Sequence, residues 1–466
     1  MSGLLSALQI SSTALQAFTQ ALGIDQANIA NASTPGYAAQ KATILPIGSN
    51  APGSNNGDLI SLNSTGNSLT DAQVQAGSSE ASFSQTQTQQ LAPINQLFDI
   101  TGSSGILAAF QQFSTAFSNL SVTPNDPTLG AAALSAAGNV ASAFQTAANG
   151  LAGQREQLDT GIQSTVKQIN TLSANIRQLN AQVSASGQPN PNTDASLRSN
   201  LDQLSTLVDI TVTRAPDGGV SVLAGGQLPL VIGNQSFALS ANPSAAPGSQ
   251  LSSTGGGNSP ASFSGQLGAL LETRNGALTQ LLGGNGQAGT LNTLAAGFAS
   301  RVNTLLSSGN TAAGTPGVPI FTYDTTNPAN GAASLSLDPN VTSPQLGLAT
   351  TGANGVANGI ANQLAGLPAS NAATDQINGL SAEGLFGSIA ASVGQQLADA
   401  TNASASDHTN LTSAQTSRQQ QSGVSLDQEA ATITAYQRSY QANAQVISIL
   451  NQLTQDTINL ITSTAG

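Results

Sequence analysis

The feature that most constrains this 466-residue chain is that it opens and closes with heptad-patterned helices. Near the N-terminus Leu8, Leu15, Leu22 and Ile29 recur every seven residues. Leu4 and Phe18 lie on the same seam, and Ser11 and Asp25 interrupt it. The spacing predicts one helix over 1–30 with a narrow coiled-coil stripe, not the wider apolar face of a helix laid on a globular core. It stops at Asn31-Ala32-Ser33-Thr34-Pro35-Gly36-Tyr37. There Pro35 disfavours helix in Thr34, and Pro-Gly suits the centre of a type II turn. At the other end Ser425 and Gln428 form a capping-box start. Leu426, Ile433, Tyr440 and Ile447 then repeat at seven, with Tyr436 and Leu450 beside that seam and Ile461 near its end. A lone helix with so narrow a stripe cannot bury it. Either both ends dock on the chain's own core, or they pair and offer a remaining apolar edge to neighbouring copies. Each buried Leu or Ile would contribute roughly 1.5–3 kcal/mol.

Between the ends the pattern changes several times. Residues 42–94 are rich in Gly, Ser, Asn and Gln with weak periodicity, which predicts an extended connecting segment. Ile106, Phe110, Phe113, Phe117 and Leu120 follow helical steps until Pro124 and Pro127. A second helix follows from about Thr128 to Ala185, with its best coiled-coil stretch from Leu158 to Val183. Leu197, Leu201, Leu204 and Val208 mark a shorter one. From Ile210 the period becomes two, and Pro216-Asp217-Gly218-Gly219 between Val212 and Val220 is a hairpin signal. Helical spacing returns over Leu267–Leu281, Leu291–Leu305 and from Leu385 onward. The expected fold is mainly α: a terminal N/C coiled coil plus an elongated helical bundle, with a smaller inserted β-rich domain. The coiled coil takes 1–41 with 424–466, and the helical rod 95–209 with 265–306 and 381–423. The β-rich outer region takes 210–264 with 307–380.

Composition removes most chemistry. Twenty-two acids face ten bases, a formal charge of −12, and the only lysines are Lys41 and Lys167. Such a surface repels phosphate backbones, so nucleic acid is not an expected partner. With no Cys, disulfides and thiolate chemistry are excluded; with His408 alone, so is any two-histidine zinc site. No Gly-x-Ser-x-Gly elbow accompanies His408, and Gly255-Gly256-Gly257 and Gly283-Gly284-Asn285-Gly286 lack the Lys-Ser/Thr of a phosphate loop. Asp427 and Glu429 suit the positive end of the last helix. No catalytic residue, metal or cofactor is expected. Aromatics are 3% of residues, which predicts a core poor in aromatic packing. No stretch reaches the ~18 apolar residues of a membrane span. The N-terminal stretch also lacks a basic signal-peptide n-region, the first cation being Lys41.

Asn28-Ile29-Ala30-Asn31-Ala32-Ser33-Thr34-Pro35-Gly36-Tyr37, closing a helix at the extreme N-terminus, resembles the signature of bacterial flagellar rod, hook and hook-associated proteins. The tail from Ser422 to Ala431, with Tyr436-Gln437 and Tyr440-Gln441-Ala442 after it, resembles the C-terminal helix of that superfamily. Within it the chain is most similar to the FlgK-type hook–filament junction family. Asn125-Asp126-Pro127 and the helix-to-hairpin step at Leu204–Val212 fit that family, whereas Ala38-Ala39 stands where a basic residue is usual. The resemblance covers about 1–41, 95–215 and 411–466. It implies a structural, non-enzymatic axial protein whose terminal coiled coil lines the inner part of a tube, with the β-rich region facing outward. It further implies export, unfolded, by the flagellar type III apparatus, with a chaperone at the C-terminal region. The expected place is outside the cell, at the hook–filament junction. Hook protein, a second junction protein and copies of the chain itself would be its neighbours. On these positions the assembly interface would be Leu4, Leu8, Leu15, Phe18, Leu22, Ile29, Leu426, Ile433, Tyr436, Tyr440, Ile447, Leu450 and Ile461. Asn31, Pro35, Gly36 and Tyr37 would form the turn. Tyr436 and Tyr440 would either pack on the N-terminal helix or meet a neighbour or chaperone. Alternatives are another axial protein, such as hook protein or flagellin, or a cell-wall hydrolase on an axial scaffold.

Overall fold

Asp126 and Pro127 start the longest element. The Asp126 carboxylate accepts from the N–H groups of Thr128 (2.8 Å) and Leu129 (3.3 Å), and Pro127 has no N–H to leave unpaired. From there helix α4 runs unbroken over Pro127–Ser186, 60 residues and so roughly 90 Å. This is a computed structural model, and it describes residues 2–44, 60–100, 104–186, 190–216, 218–245, 250–256, 262–284, 286–352 and 355–464. Around α4 lie α1 (Ser2–Ala30), α2 (Ser68–Gln96), α3 (Gly105–Val122), α5 (Pro191–Leu207) and α6 (Gly265–Thr273). Then come α7 (Thr279–Leu282), α8 (Thr290–Ser308), α9 (Gly331–Ser334), α10 (Gly359–Gly366), α11 (Ala382–Ser422) and α12 (Leu426–Thr464). The chain is 67% helical with small antiparallel sheets, the mainly α class expected. Helix α3 packs on α4, and α2 packs on α11, α6 and α5.

The connecting segment is not extended throughout. Strands β1 (Gln40–Ile44) and β2 (Ile60–Ser64) form a hairpin, but Ser68–Gln96 is helix, capped by the Asn67 side chain on the Leu69 N–H. Its buried face explains why apolar periodicity missed it: Thr70, Gln75, Gly77, Ser78, Ser79, Ser84 and Thr86 are small or polar. They let α11 come close. A Cβ on Gly77 would sit 3.3 Å from the Leu411 Cα.

The expectation of little aromatic packing also fails, because position outweighs number. Six of the twelve phenylalanines gather in one place. The Phe298 ring lies 4.8 Å from Phe110, 5.3 Å from Phe113 and 6.3 Å from Phe321, and Phe144 and Phe117 extend the cluster. It joins α3, α4, α8 and the short strand at Phe321.

The hairpin at 210–224 forms as expected. Strands β3 (Ile210–Arg214), β4 (Val220–Ala224), β5 (Leu228–Ile232) and β6 (Gln235–Ser236) make a four-stranded antiparallel sheet, with β7 (Leu239–Ala241) and β8 (Leu251–Ser253) paired beside it. The other half of the expected β-rich region, 307–380, is not β-rich among the described residues. It holds only the two-residue pair Phe321–Thr322 with Ser336–Leu337, isolated bridges, and short helices among turns. Its Pro, Gly and Asn content interrupts any alternation long enough for a strand.

Asparagines, one buried and two half-buried, tie these β segments to the helices. Asn180 on α4 donates to the carbonyls of Val220 and Gly233 (2.7 Å each) and accepts from the Val220 N–H (2.9 Å). Asn170, three turns earlier, bonds the N–H and C=O of Leu239 (2.8 Å each). Asn303 on α8 does the same for Phe321. A primary amide presents the same donor–acceptor pair as a peptide group, so each side chain stands in for a neighbouring strand. Asn180→Ala leaves the buried N–H and C=O of Val220 unpaired and frees the exposed Gly233 carbonyl, and is expected to cost about 3 kcal/mol. The check is amide hydrogen exchange at Val220: protection should fall by roughly two orders of magnitude, and unchanged protection would refute this role.

Candidate assembly site

Helices α1 and α12 pair antiparallel. Phe18 lies 6.1 Å from Tyr436 between ring centres, and ten residues further along α1 Asn28 bonds Glu429, seven residues back along α12. The face of α1 turned inward is not the seam its leucines suggest. Ser11, Ala17, Ala21, Asp25 and Asn28 are buried, whereas Leu8, Leu15, Phe18 and Leu22 are half-buried beside them and Ile29 is 38% exposed. Small residues at the centre let the two helices approach closely, and the larger side chains close the margins. Ser11 and Asp25, which break the leucine seam, are thus among its most buried positions. On α12, Ile433, Tyr436, Ile447 and Leu450 are half-buried, while Leu426 and Tyr440 are exposed. The side chains of Leu4 and Ile461 lie outside the described residues.

Asn28 organises the base of the pair. Its Nδ2 donates to the Gln40 carbonyl (2.8 Å) and to Glu429 Oε1 (3.1 Å); its Oδ1 accepts from the Gln40 N–H (2.9 Å) and the Tyr37 hydroxyl (3.0 Å). One fully buried amide therefore joins α1, the turn, β1 and α12. Asn31 to Tyr37 form that turn: the Thr34 N–H bonds the Asn31 carbonyl (2.9 Å) and the Tyr37 N–H bonds the Thr34 carbonyl (3.1 Å). Gly36 has φ +76°, and any Cβ there would overlap the Ala195 carbonyl of α5, so only glycine lets the turn seat on that helix. Ala38 and Ala39 are buried, and the Ala39 N–H bonds the Ser422 carbonyl (2.9 Å) at the end of α11. Thr65 bonds both Ala39 and Ser422.

Below this neck sits a network of three arginines and three aspartates. Arg198 is buried between Asp71 (3.1 Å) and Asp194 (3.0 Å), and Arg214 also reaches Asp194 (2.9 Å). Arg418 bonds Asp202 (2.8 Å) and lies 3.7 Å from Asp71. Burial pushes the Asp202 carboxyl up, against the pull of Arg418. The charges alternate across α2, α5, α11 and β3. Such a network fixes geometry more than it adds stability. Within the terminal pair itself, burial first and the charge of Glu429 second raise Asp25 to about 6. Burial and the same carboxylates push the Tyr436 hydroxyl up.

His408 is exposed on α11. Among the described residues no group of three His, Cys, Asp or Glu could hold a metal ion, and no helix is long and apolar enough to cross a membrane. What the terminal pair does leave open is apolar: Val446, Ile449 and Leu453 on α12 are 44%, 58% and 49% exposed. Their spacing of three and four puts them on one stripe beside the seam. Their spacing was visible in sequence but belongs to a second stripe, masked by the seven-residue repeat next to it.

Residues 91–321 match the family model of the flagellar hook-associated protein FlgK helical domain, and residues 415–460 match that of the flagellar basal body rod FlgEFG protein C-terminal region. The chain is 25% identical to flagellar hook-associated protein 1 of Bacillus subtilis, over 97% of each chain. It is 27% identical to flagellar hook-associated protein 1 of Salmonella typhimurium, over 69% of this chain and 61% of that one. Among solved structures, the flagellar hook junction protein FlgK from Burkholderia pseudomallei matches with a TM-score of 0.63 and 18% identity, covering 76% of this chain and all of the other. That likeness extends to the fold.

Proposed function

Since the chain belongs to the FlgK-type family of flagellar hook-associated proteins, a family of structural flagellar components, we propose that it forms the layer joining hook to filament. The observation that carries this reading is the terminal pair: two helices from opposite chain ends, closed on each other, with Val446, Ile449 and Leu453 uncovered. Neighbouring copies would cover that stripe. Contacts between unlike faces propagate around a tube, which is the geometry an axial layer needs. In this reading 1–41 with 424–466 is the assembling unit, 95–209 with 265–306 and 381–423 the rod, and 210–264 with 307–380 the outward region. The interface residues on α1 and α12 set the pair, and the turn at Asn31, Pro35, Gly36 and Tyr37 fixes its angle to the rod.

The chain would act outside the cell without catalysis, between hook protein below and a second junction protein above. It would arrive unfolded through the flagellar type III apparatus, its C-terminal region held by a chaperone beforehand. Electron microscopy of a strain lacking the protein tests this: hooks without filaments are expected. Supplying the whole chain should restore filaments, and supplying it without 1–30 or without 426–461 should not. Normal filaments in the deletion strain would overturn the reading.

A further inference from the structure

Asp25 is the only ionisable side chain in the sequence of α1, and it is 5% exposed. Across the pair it faces Glu429, whose Oε1 is held by Asn28 one turn further along α1 (3.1 Å), while the Asp25 Oδ2 is buried with no hydrogen-bond partner. Among the described residues, the surroundings hold no compensating charge. From α12 come Glu429 and Tyr436; from the turn comes Tyr37, bonded to Asn28. Lys41 on β1 and Asp427 and Arg438 on α12 have exposed side chains. Among the described residues neither Asp25 nor Glu429 pairs with a Lys or Arg. An ionised carboxylate so placed is unfavourable unless a proton is shared.

We propose that Asp25 and Glu429 form a proton-operated fastener: a proton held between them joins α1 to α12, and its loss to solvent sets two carboxylates against each other and parts the helices at that level. The sign follows from the direction of the shift. A carboxyl raised from 3.8 to about 6 in the closed pair binds its proton more tightly there than when the helices separate. Its stabilising contribution is complete below about pH 4 and lost as pH rises through about 6. A two-unit difference corresponds to roughly a hundred-fold change in the open–closed equilibrium. The terminal helices of the single chain are therefore fastened in acid and loosened near neutral pH, whatever later covers the α12 stripe. The fastener does not rest on the junction role.

The chain contains no cysteine, so a spin-label pair can be placed on the whole protein without other changes. Gln20→Cys with Thr434→Cys puts both labels at exposed positions near the Phe18–Tyr436 level. Pulsed dipolar spectroscopy should give a narrow distance distribution at pH 5 and a broader, longer one at pH 8, with a midpoint near 6. Asp25→Asn, which cannot ionise, should keep the narrow distribution at both values. Glu429→Gln should move the midpoint down, and it serves if Asp25→Asn fails to fold. Identical distributions at pH 5 and 8, or a midpoint unmoved in these variants, would overturn the proposal.

Discussion

Phe298→Ala is expected to lower the stability of the helical body by about 4 kcal/mol. Phe298 is fully buried in the middle of α8, with Phe110, Phe113 and Phe321 around its ring. Deleting it removes the transfer free energy of the ring and the favourable edge contacts, and leaves a cavity lined by rings that cannot collapse inward without losing each other. Apart from Phe98 and Phe386, which pack on each other, the rest of the core is built from Ala, Leu, Val and Ile, so no free neighbouring side chain is large enough to swing in. Calorimetry should show the main transition falling by roughly 10 °C, with Phe298→Leu losing about a third of that. A fall of only about 1 °C would mean that the aromatic cluster is not what holds α3, α4 and α8 together.

The second large effect concerns assembly, with folding left alone. Replacing Val446, Ile449 and Leu453 together by glutamine keeps helix propensity and adds no charge. All three are about half exposed in the single chain, so helicity and melting should scarcely change. If neighbouring copies cover the stripe, each contact loses about 1 kcal/mol per side chain, hence about 3 kcal/mol and roughly a hundred-fold in affinity, repeated at every copy. A strain carrying the triple variant in place of the natural chain should export it and fail to retain filaments. Normal filament number and length would show that these residues face no partner.

Parts of the fold were legible because they rest on local rules. The helix starts at Asp126-Pro127 and near Ser425, and the heptads of α12, announce themselves through caps and spacing. So does the hairpin between β3 and β4. The parts that were not legible depend on partners remote in sequence. Helix α2 buries serine, threonine and glycine because α11 lies close against it, and no apolar period records that. Asn170, Asn180 and Asn303 look like surface residues until the strands 18 to 69 residues away come to bond them. Ser11 and Asp25 break the leucine seam of α1 but face α12, since a closely approached antiparallel pair has room at its centre only for short side chains. The turn from Asn31 to Tyr37 was recognisable as a motif. Its physical reasons, the Asn28 amide joining four elements and the Gly36 backbone lying on α5, became visible only in three dimensions.

The central claim is that the chain's two ends close on each other as an antiparallel pair and meet neighbouring copies through the stripe beside their seam. Electron cryomicroscopy of isolated hook–filament junctions measures this directly. The expected density has Phe18 meeting Tyr436 of the same chain and Val446, Ile449 and Leu453 covered by an adjacent copy. A map in which α1 pairs with α12 of a different copy, or in which that stripe faces open solvent, would contradict it.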